Sequence, residues 1–236
     1  MFMAVAVHRA EDAETKARVL RAATELFAER GFHGTKVRDI AARAGANVAA
    51  GHYHFGSKRD LYVEVLRACF ADVHAMLARG GAQPEPAALD RMSRATLEAL
   101  LEKRMALMLG NLLGPPPSPH GTLMLREMLD PSDALPIVVA EFVAPMVGET
   151  SDVVRRLAPG LDDEQVLWCV ASTMGQGLFY RATLPATMRV FGLTSFSPAY
   201  LRRLAAHIAG FSSGGIARVA AGRRRPSPTR RHPRAR

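Results

Sequence analysis

The sequence predicts an all-α protein: an N-terminal three-helix head carrying a helix-turn-helix, plus a larger C-terminal helical domain. Three observations carry that prediction. Aromatic residues make up only 6% of the 236 residues, whereas Ala, Leu, Arg and Met are plentiful, a balance that favours helices over sheets. No stretch alternates apolar and polar residues for long enough to suggest a strand, and one segment after another carries its apolar residues at helical spacing. A hydrophobic content of 48% with 22% charged residues is that of an ordinary globular chain.

Residues 1–11 are expected to fray. A first helix over about 13–30 has Val19, Leu20, Ala23, Leu26 and Phe27 at core spacing and is ended by Gly31. Thr35 is placed to cap the second helix, on which Val37, Ile40, Ala41 and Ala44 form one face before Gly45 supplies a left-handed stop. Asn47 can cap a third helix of roughly two turns, Val48 to Phe55. Phe55 has the spacing of a core anchor, while Tyr53 is open to a phosphate-binding role. Ser57-Lys-Arg-Asp60 has the capping-box form and starts a long helix to about Leu77. The early residues of this helix, Leu61, Val65 and Leu66, pack on the head, and later ones from Cys69 to Leu77 extend the apolar stripe beyond it. A helix belonging to two cores connects them mechanically.

Gly80 to Pro86 breaks the chain. Helices are then expected over about 87–113, 122–129, 134–157, 162–184 and 198–209, with a Pro-rich loop at 114–120 and a connector at 185–197. Pro145 should kink the helix over 134–157 by removing a hydrogen bond. Asp162, Asp163 and Glu164 suit the positive end of a helix dipole. The domain boundaries are set at 12–72 for the head, 73–211 for the ligand-binding and dimerisation domain, and 212–236 for a disordered, Arg-rich tail.

Two short helices joined by a glycine-bearing turn form a helix-turn-helix whose second helix enters the major groove. Residues 14–60 hold nine Lys/Arg against five Asp/Glu. Thr35, Lys36, Arg38, Tyr53, His54 and Lys58 are the candidates for phosphate contact, joined by Arg43, and Asn47, Val48, Ala49, Ala50, Gly51 and His52 are those for the bases. Val48, Ala49 and Ala50 carry no hydrogen-bonding side chains, so readout there rests on thymine methyls, backbone approach at Gly51, and Asn47 or His52. Specificity then needs two heads and some reading of DNA shape. The plainer alternative is a solvated helical hairpin with a basic face.

The run Ala-Ala-Thr-Glu-Leu-Phe-Ala-Glu-Arg-Gly-Phe (22–32), the stretch Thr35 to Gly45, and Tyr53-His-Phe-Gly-Ser-Lys58 with Leu61 resemble the N-terminal domain of the TetR family of bacterial transcriptional regulators. Leu125-Arg-Glu-Met-Leu-Asp-Pro131, Ala134-Leu and Met174-Gly-Gln-Gly-Leu-Phe-Tyr-Arg181 resemble the C-terminal domain of its CerR/CecR-type branch. The resemblance implies a homodimeric repressor, dimerised through helices about 162–184 and 198–209, and a two-fold dimer predicts a roughly palindromic DNA operator. It also implies release by a small-molecule effector and a link to efflux or a toxic-compound response. Activation in place of repression stays open.

The C-terminal half is rich in Met, a flexible, polarizable side chain suited either to filling a core or to lining a site for varied apolar ligands. The candidate ligand-binding residues are Phe70, His74, Met105, Met108, Met124, Met128, Phe142, Met146 and Met174.

The net charge of +9 is uneven, because residues 212–236 hold eight Arg and no acid, leaving +1 for the rest. The tail reads either as a sequence-independent DNA tether or as a segment without a role. The rival function is an architectural, largely sequence-independent DNA-binding protein. Catalysis is not expected, since His74, His120, Glu127 and His207 form no metal spacing and no nucleophile motif is present. Cys69 and Cys169 lie in apolar helical patterns and read as buried thiols. No cofactor or metal is expected. Residues 134–148 are broken by Pro136, Glu141 and Pro145 and make no membrane span, and the first residues lack a signal peptide's form, so a cytoplasmic location is expected.

Overall fold

The computed structural model describes residues 2–47, 55–114 and 118–222, with side chains from residue 11 onward. Among these residues every regular element is helical and none is a strand. In chain order they are α1 (Phe2–Gly34), α2 (Val37–Ala44), α3 (Lys58–Arg79), α4 (Pro86–Leu89), α5 (Arg94–Leu113), α6 (Pro119–Leu129), α7 (Leu135–Val138), a π-helical turn (Val139–Val143), α8 (Ala144–Leu157), α9 (Asp163–Ala182), α10 (Leu184–Val190) and α11 (Pro198–Gly222).

Helix α1 begins well before the expected residue 13, since no Gly or Pro interrupts residues 2–30. Gly31 breaks it as expected, at φ 71° and ψ 176°, a backbone state that L side chains rarely adopt. Helix α2 ends at Gly45 in the left-handed conformation (φ 60°), whose N–H donates back to the carbonyls of Ala41 and Ala42. Ser57 caps α3 in a full capping box: its Oγ accepts from the Asp60 N–H at 3.1 Å and the Asp60 carboxylate accepts from the Ser57 N–H at 3.1 Å. The Ser57 hydroxyl, which donates to the Asp60 carboxylate at 2.6 Å, and then the Ser57 N–H hold that carboxyl below its ordinary pKa.

Four expectations are corrected downstream. The helix assigned to 87–113 is two elements, because Ser93 caps a new helix by accepting from the Thr96 N–H. Pro145 does not produce a simple kink; a π turn forms just before it, over Val139–Val143, and lets the chain run on into α8. Part of the connector at 185–197 is helical as α10, with Pro185 in its first turn. The last helix does not stop at 209 but continues to Gly222, so residues 212–222 of the expected disordered tail are ordered. Their Ser and Gly content lowers the mean hydropathy, yet Ser212, Ser213 and Ile216 are buried and Ala220 packs on the core. Residues 223–236 lie outside the described residues.

Three apolar clusters organise the chain. The head cluster gathers Ala23, Leu26 and Phe27 of α1, Ile40 and Ala44 of α2, Phe55, and Leu61 to Phe70 of α3. It does not close with these elements alone, for Leu123 and Met124 of α6, Ala134 and Val138 complete it. The second cluster takes over along α3 at Val73 and Leu77 and joins α5, α8, α9 and the end of α11. The third packs Met105, Leu109, Leu112 and Leu113 of α5 against Leu201, Leu204 and Ile208 of α11. Helices α5 and α11 therefore run antiparallel, and α11 ends beside the N-terminal half of α5, at the side of the bundle remote from the head.

Candidate nucleic-acid interface and effector cavity

The head presents a basic edge at the start of α2. Lys36 is exposed at the N-cap position, and Arg38 is exposed with its guanidinium 3.6 Å from the neighbouring Asp39. Asn47 is exposed just after the turn. Lys58 is half-buried, with its ammonium 4.4 Å from the centroid of the Phe32 ring, and burial lowers its pKa. Val48, Ala49, Ala50, Gly51, His52, Tyr53 and His54 lie outside the described residues. Phe55 is buried in the head cluster.

Two phosphate candidates are corrected. Thr35 neither caps α2 nor offers its hydroxyl outward: it is 1% exposed, and its Oγ lies 2.8 Å from the Gly31 carbonyl and 3.1 Å from that of Leu26. The hydroxyl pins the end of α1 to the start of α2. Arg43 is already matched, donating to Glu29 at 3.0 Å and Glu25 at 3.5 Å on α1, with its pKa raised first by the Glu29 hydrogen bond.

Behind this edge the C-terminal half grips the head through charged and aromatic contacts. Tyr62 of α3 donates its hydroxyl to Glu127 of α6 at 2.6 Å; the other Glu127 oxygen accepts from the Ser132 N–H at 3.0 Å and the Ser132 hydroxyl at 2.9 Å. Glu127 is 1% exposed, so each of these donors replaces lost water. Burial, then the Glu127 hydrogen bond, raises the Tyr62 pKa and keeps the phenol protonated. One residue earlier, Arg126 donates to the Glu29 carbonyl of α1 at 3.2 Å and lies across Gly31, where a Cβ would crowd it at 3.1 Å. On the π turn, Glu141 accepts two bonds from Arg67 of α3, at 2.9 and 3.0 Å, and Phe142 stacks on Phe70 of α3 with centroids 4.9 Å apart.

The same elements line a cavity of about 130 Å³ between α3, α5, α6, the π turn, α8 and α9. Of the nine residues expected at a ligand site, Met105, Met108, Met124, Met128, Phe142, Met146 and Met174 line it. Phe70 and His74 do not. Phe70 stands behind Phe142, while His74 meets the edge of that ring and Gln83. Both fall on the α3 stripe at the right spacing, but the Phe142 ring covers them.

Sequence reasoning missed Met76, Leu101, Arg104, Asn111, Thr150, Thr173 and Leu178, which also form the wall. Arg104 is hidden in an apolar helical stripe between Leu101 and Met105, and that position was the signal that it is buried. It is a structural cation: Nη1 donates to the Ala82 carbonyl and Nη2 to Glu149, both at 2.9 Å, and Glu149 also accepts from Gln83. Tyr62 and Glu127 were missed as a pair, since nothing in sequence relates positions 65 residues apart. No group of His, Cys, Asp or Glu among the described residues has the geometry of a metal site. No helix among them is long and apolar enough to cross a membrane.

A head of this build, clasped by a helical domain with an internal cavity, defines the class of helix-turn-helix regulatory proteins, and comparison with known families agrees. Residues 19–65 match the family described as bacterial regulatory proteins, tetR family, and residues 93–216 match the C-terminal domain of the HTH-type transcriptional dual regulator CecR. The chain belongs to the TetR family, with a C-terminal domain of the CecR type.

The HTH-type transcriptional repressor Rv3405c of Mycobacterium tuberculosis is 41% identical over 90 residues, 38% of this chain and 48% of its own length. The chain thus spans about half the length of the mycobacterial relatives it matches. The CecR dual regulator of Shigella flexneri is 29% identical over 193 residues, covering 78% of this chain and 82% of that protein. Among solved structures, a TetR-like regulator from Rhodococcus sp. RHA1 superposes with a TM-score of 0.62 at 17% identity, covering 85% of this chain and 96% of that one. The hemolysin II regulator HlyIIR gives 0.59 at 17% identity, covering 85% and 97%. At these identities the structures support the fold.

Proposed function

We propose that this protein is a homodimeric, sequence-specific DNA-binding transcriptional regulator, acting as a repressor released when a small, largely apolar molecule fills the cavity. The observation that carries the reading is that α3, α6 and the π turn both hold the head and line the cavity. Filling the space beside Met124 or Phe142 then bears on Arg126, Glu127 and Glu141, which fix the head's angle. A typical coupling of about 1–3 kcal/mol weakens operator binding some 5–150-fold. Lys36 and Arg38 contact phosphates, with Lys58 behind them, and residues 47–54 read the groove.

The dimer forms through α9 and α11. Trp168, Ala171, Ser172, Gly175 and Phe179 recur on α9 at helical spacing, and Phe211, Gly215 and Val219 do so on α11. Trp168 is 59% exposed and Phe211 69%, too much apolar surface to leave in water along one face. A four-helix contact with a second copy buries it and sets two heads on a two-fold, roughly palindromic site. Control of efflux or of a toxic-compound response is the target proposed from the CecR-type C-terminal match.

The architectural rival is disfavoured by where the Arg-rich segment starts. Gly222 lies at the side of the bundle remote from α2, and α3 alone spans about 33 Å at 1.5 Å per residue. The test is binding to DNA upstream of the protein's own gene against scrambled DNA, over a salt series. Retained preference at physiological salt, with two protomers per site, supports the regulator. Equal binding to both DNAs, collapsing together as salt rises, supports the rival.

A further inference from the structure

We infer that the cavity takes a neutral, single-ring aromatic molecule and rejects anions of the same shape, although an arginine stands in its wall; this rests on the reading of the cavity as the effector site. Size is the first argument. About 130 Å³ is close to the roughly 150 Å³ of an engineered apolar cavity that holds benzene. Surface is the second. The wall is almost wholly carbon and sulfur, with the Phe142 ring on one side and seven methionines around the rest. Thioether sulfur packs well against ring edges, and Met side chains re-form around guests of slightly different outline. Gly177 helps here, since a Cβ at that position would overlap the Met108 methyl and fix its place.

Charge is the third argument and sets the specificity. Arg104 is the one cationic residue of the wall among the described residues, and its terminal nitrogens are committed to Glu149 and the Ala82 carbonyl. Its charge is matched inside the bundle before any ligand arrives. The hydroxyls of Thr150 and Thr173 are likewise turned back, each donating at 2.8 Å to a carbonyl one turn earlier on its own helix. A carboxylate entering this space finds no free cation and no free hydroxyl, and the neutral Asn111 amide does not balance its charge, so desolvating it is costly. A neutral ring loses only its contact with water.

Nitrobenzene and benzoate share outline and size but differ in charge, so the pair isolates this last point. The full-length protein labelled at its methionine methyls is titrated with each, and affinity is read from the shifts. Nitrobenzene is expected to move the seven cavity methyls and leave Met92 and Met188, which lie away from the cavity, in place. Benzoate is expected to bind at least about tenfold more weakly, the effect of roughly 1.4 kcal/mol. Benzoate moving the cavity methyls as strongly as nitrobenzene overturns the inference, as does a failure of nitrobenzene to move them. Operator affinity is measured in parallel. Nitrobenzene that fills the cavity without changing it leaves the ligand class standing and sinks the effector reading instead.

Discussion

The head and the cavity share α6, yet they are built by opposite rules. Around Tyr62 both Glu127 oxygens have short, directed partners, and the nearby Leu66, Leu123 and Phe27 of the same cluster are fully buried. Around Met108 and Met174 the Arg104, Thr150 and Thr173 side chains are tied back, the methionines are flexible, and space is left open. The first arrangement fixes one geometry and the second accommodates several. Set on one helix, they are the two parts that the proposed regulation would couple.

The contrast is broken or sharpened by substitutions in each region. Leu66→Ala truncates a fully buried side chain in the head and is expected to cost about 2–5 kcal/mol in chemical denaturation. Tyr62→Phe keeps the ring but leaves the buried Glu127 carboxylate one donor short; a loss of about 1.5–3 kcal/mol is expected. If Tyr62→Phe proved neutral, the clasp would not be what orders the head. Ser57→Ala removes the α3 cap at a cost of about 1 kcal/mol.

The cap also carries a pH signature. Because Asp60 has its folded pKa depressed, its contribution is present above the ordinary carboxylate range and is lost as pH falls through the folded value. The gap between wild type and Ser57→Ala should therefore narrow below about pH 4. Smallest of all, Met174→Leu in the cavity wall conserves volume and should change stability by less than about 1 kcal/mol. A large loss there would mean that the wall is as tightly set as the head.

Much of this division was legible in the sequence, for particular reasons. Gly31, Gly45 and the Ser57-Asp60 box announce helix ends through local backbone chemistry, and the structure realises all three. Methionine at helical spacing marked six of the cavity's wall residues. What local pattern could not supply was which side of a stripe a neighbouring ring would cover, so Phe70 and His74 were assigned to a space that Phe142 closes off. Nor could it show that Thr35 would turn inward to Gly31 and Leu26. The α11 extension was hidden because Ser212 and Ser213 look like linker residues and are buried only through what α5 and α9 bring against them. The Arg104–Glu149 and Tyr62–Glu127 pairs exist only after the chain has folded.

The central claim is that cavity and head are one coupled system, and reciprocity tests it most directly. The affinity of nitrobenzene for the cavity is measured on the free protein and on protein saturated with operator DNA. Linkage requires operator to weaken nitrobenzene by the same factor by which nitrobenzene weakens operator, about 5–150-fold for couplings of the usual size. Equal nitrobenzene affinity in the two states would contradict the account.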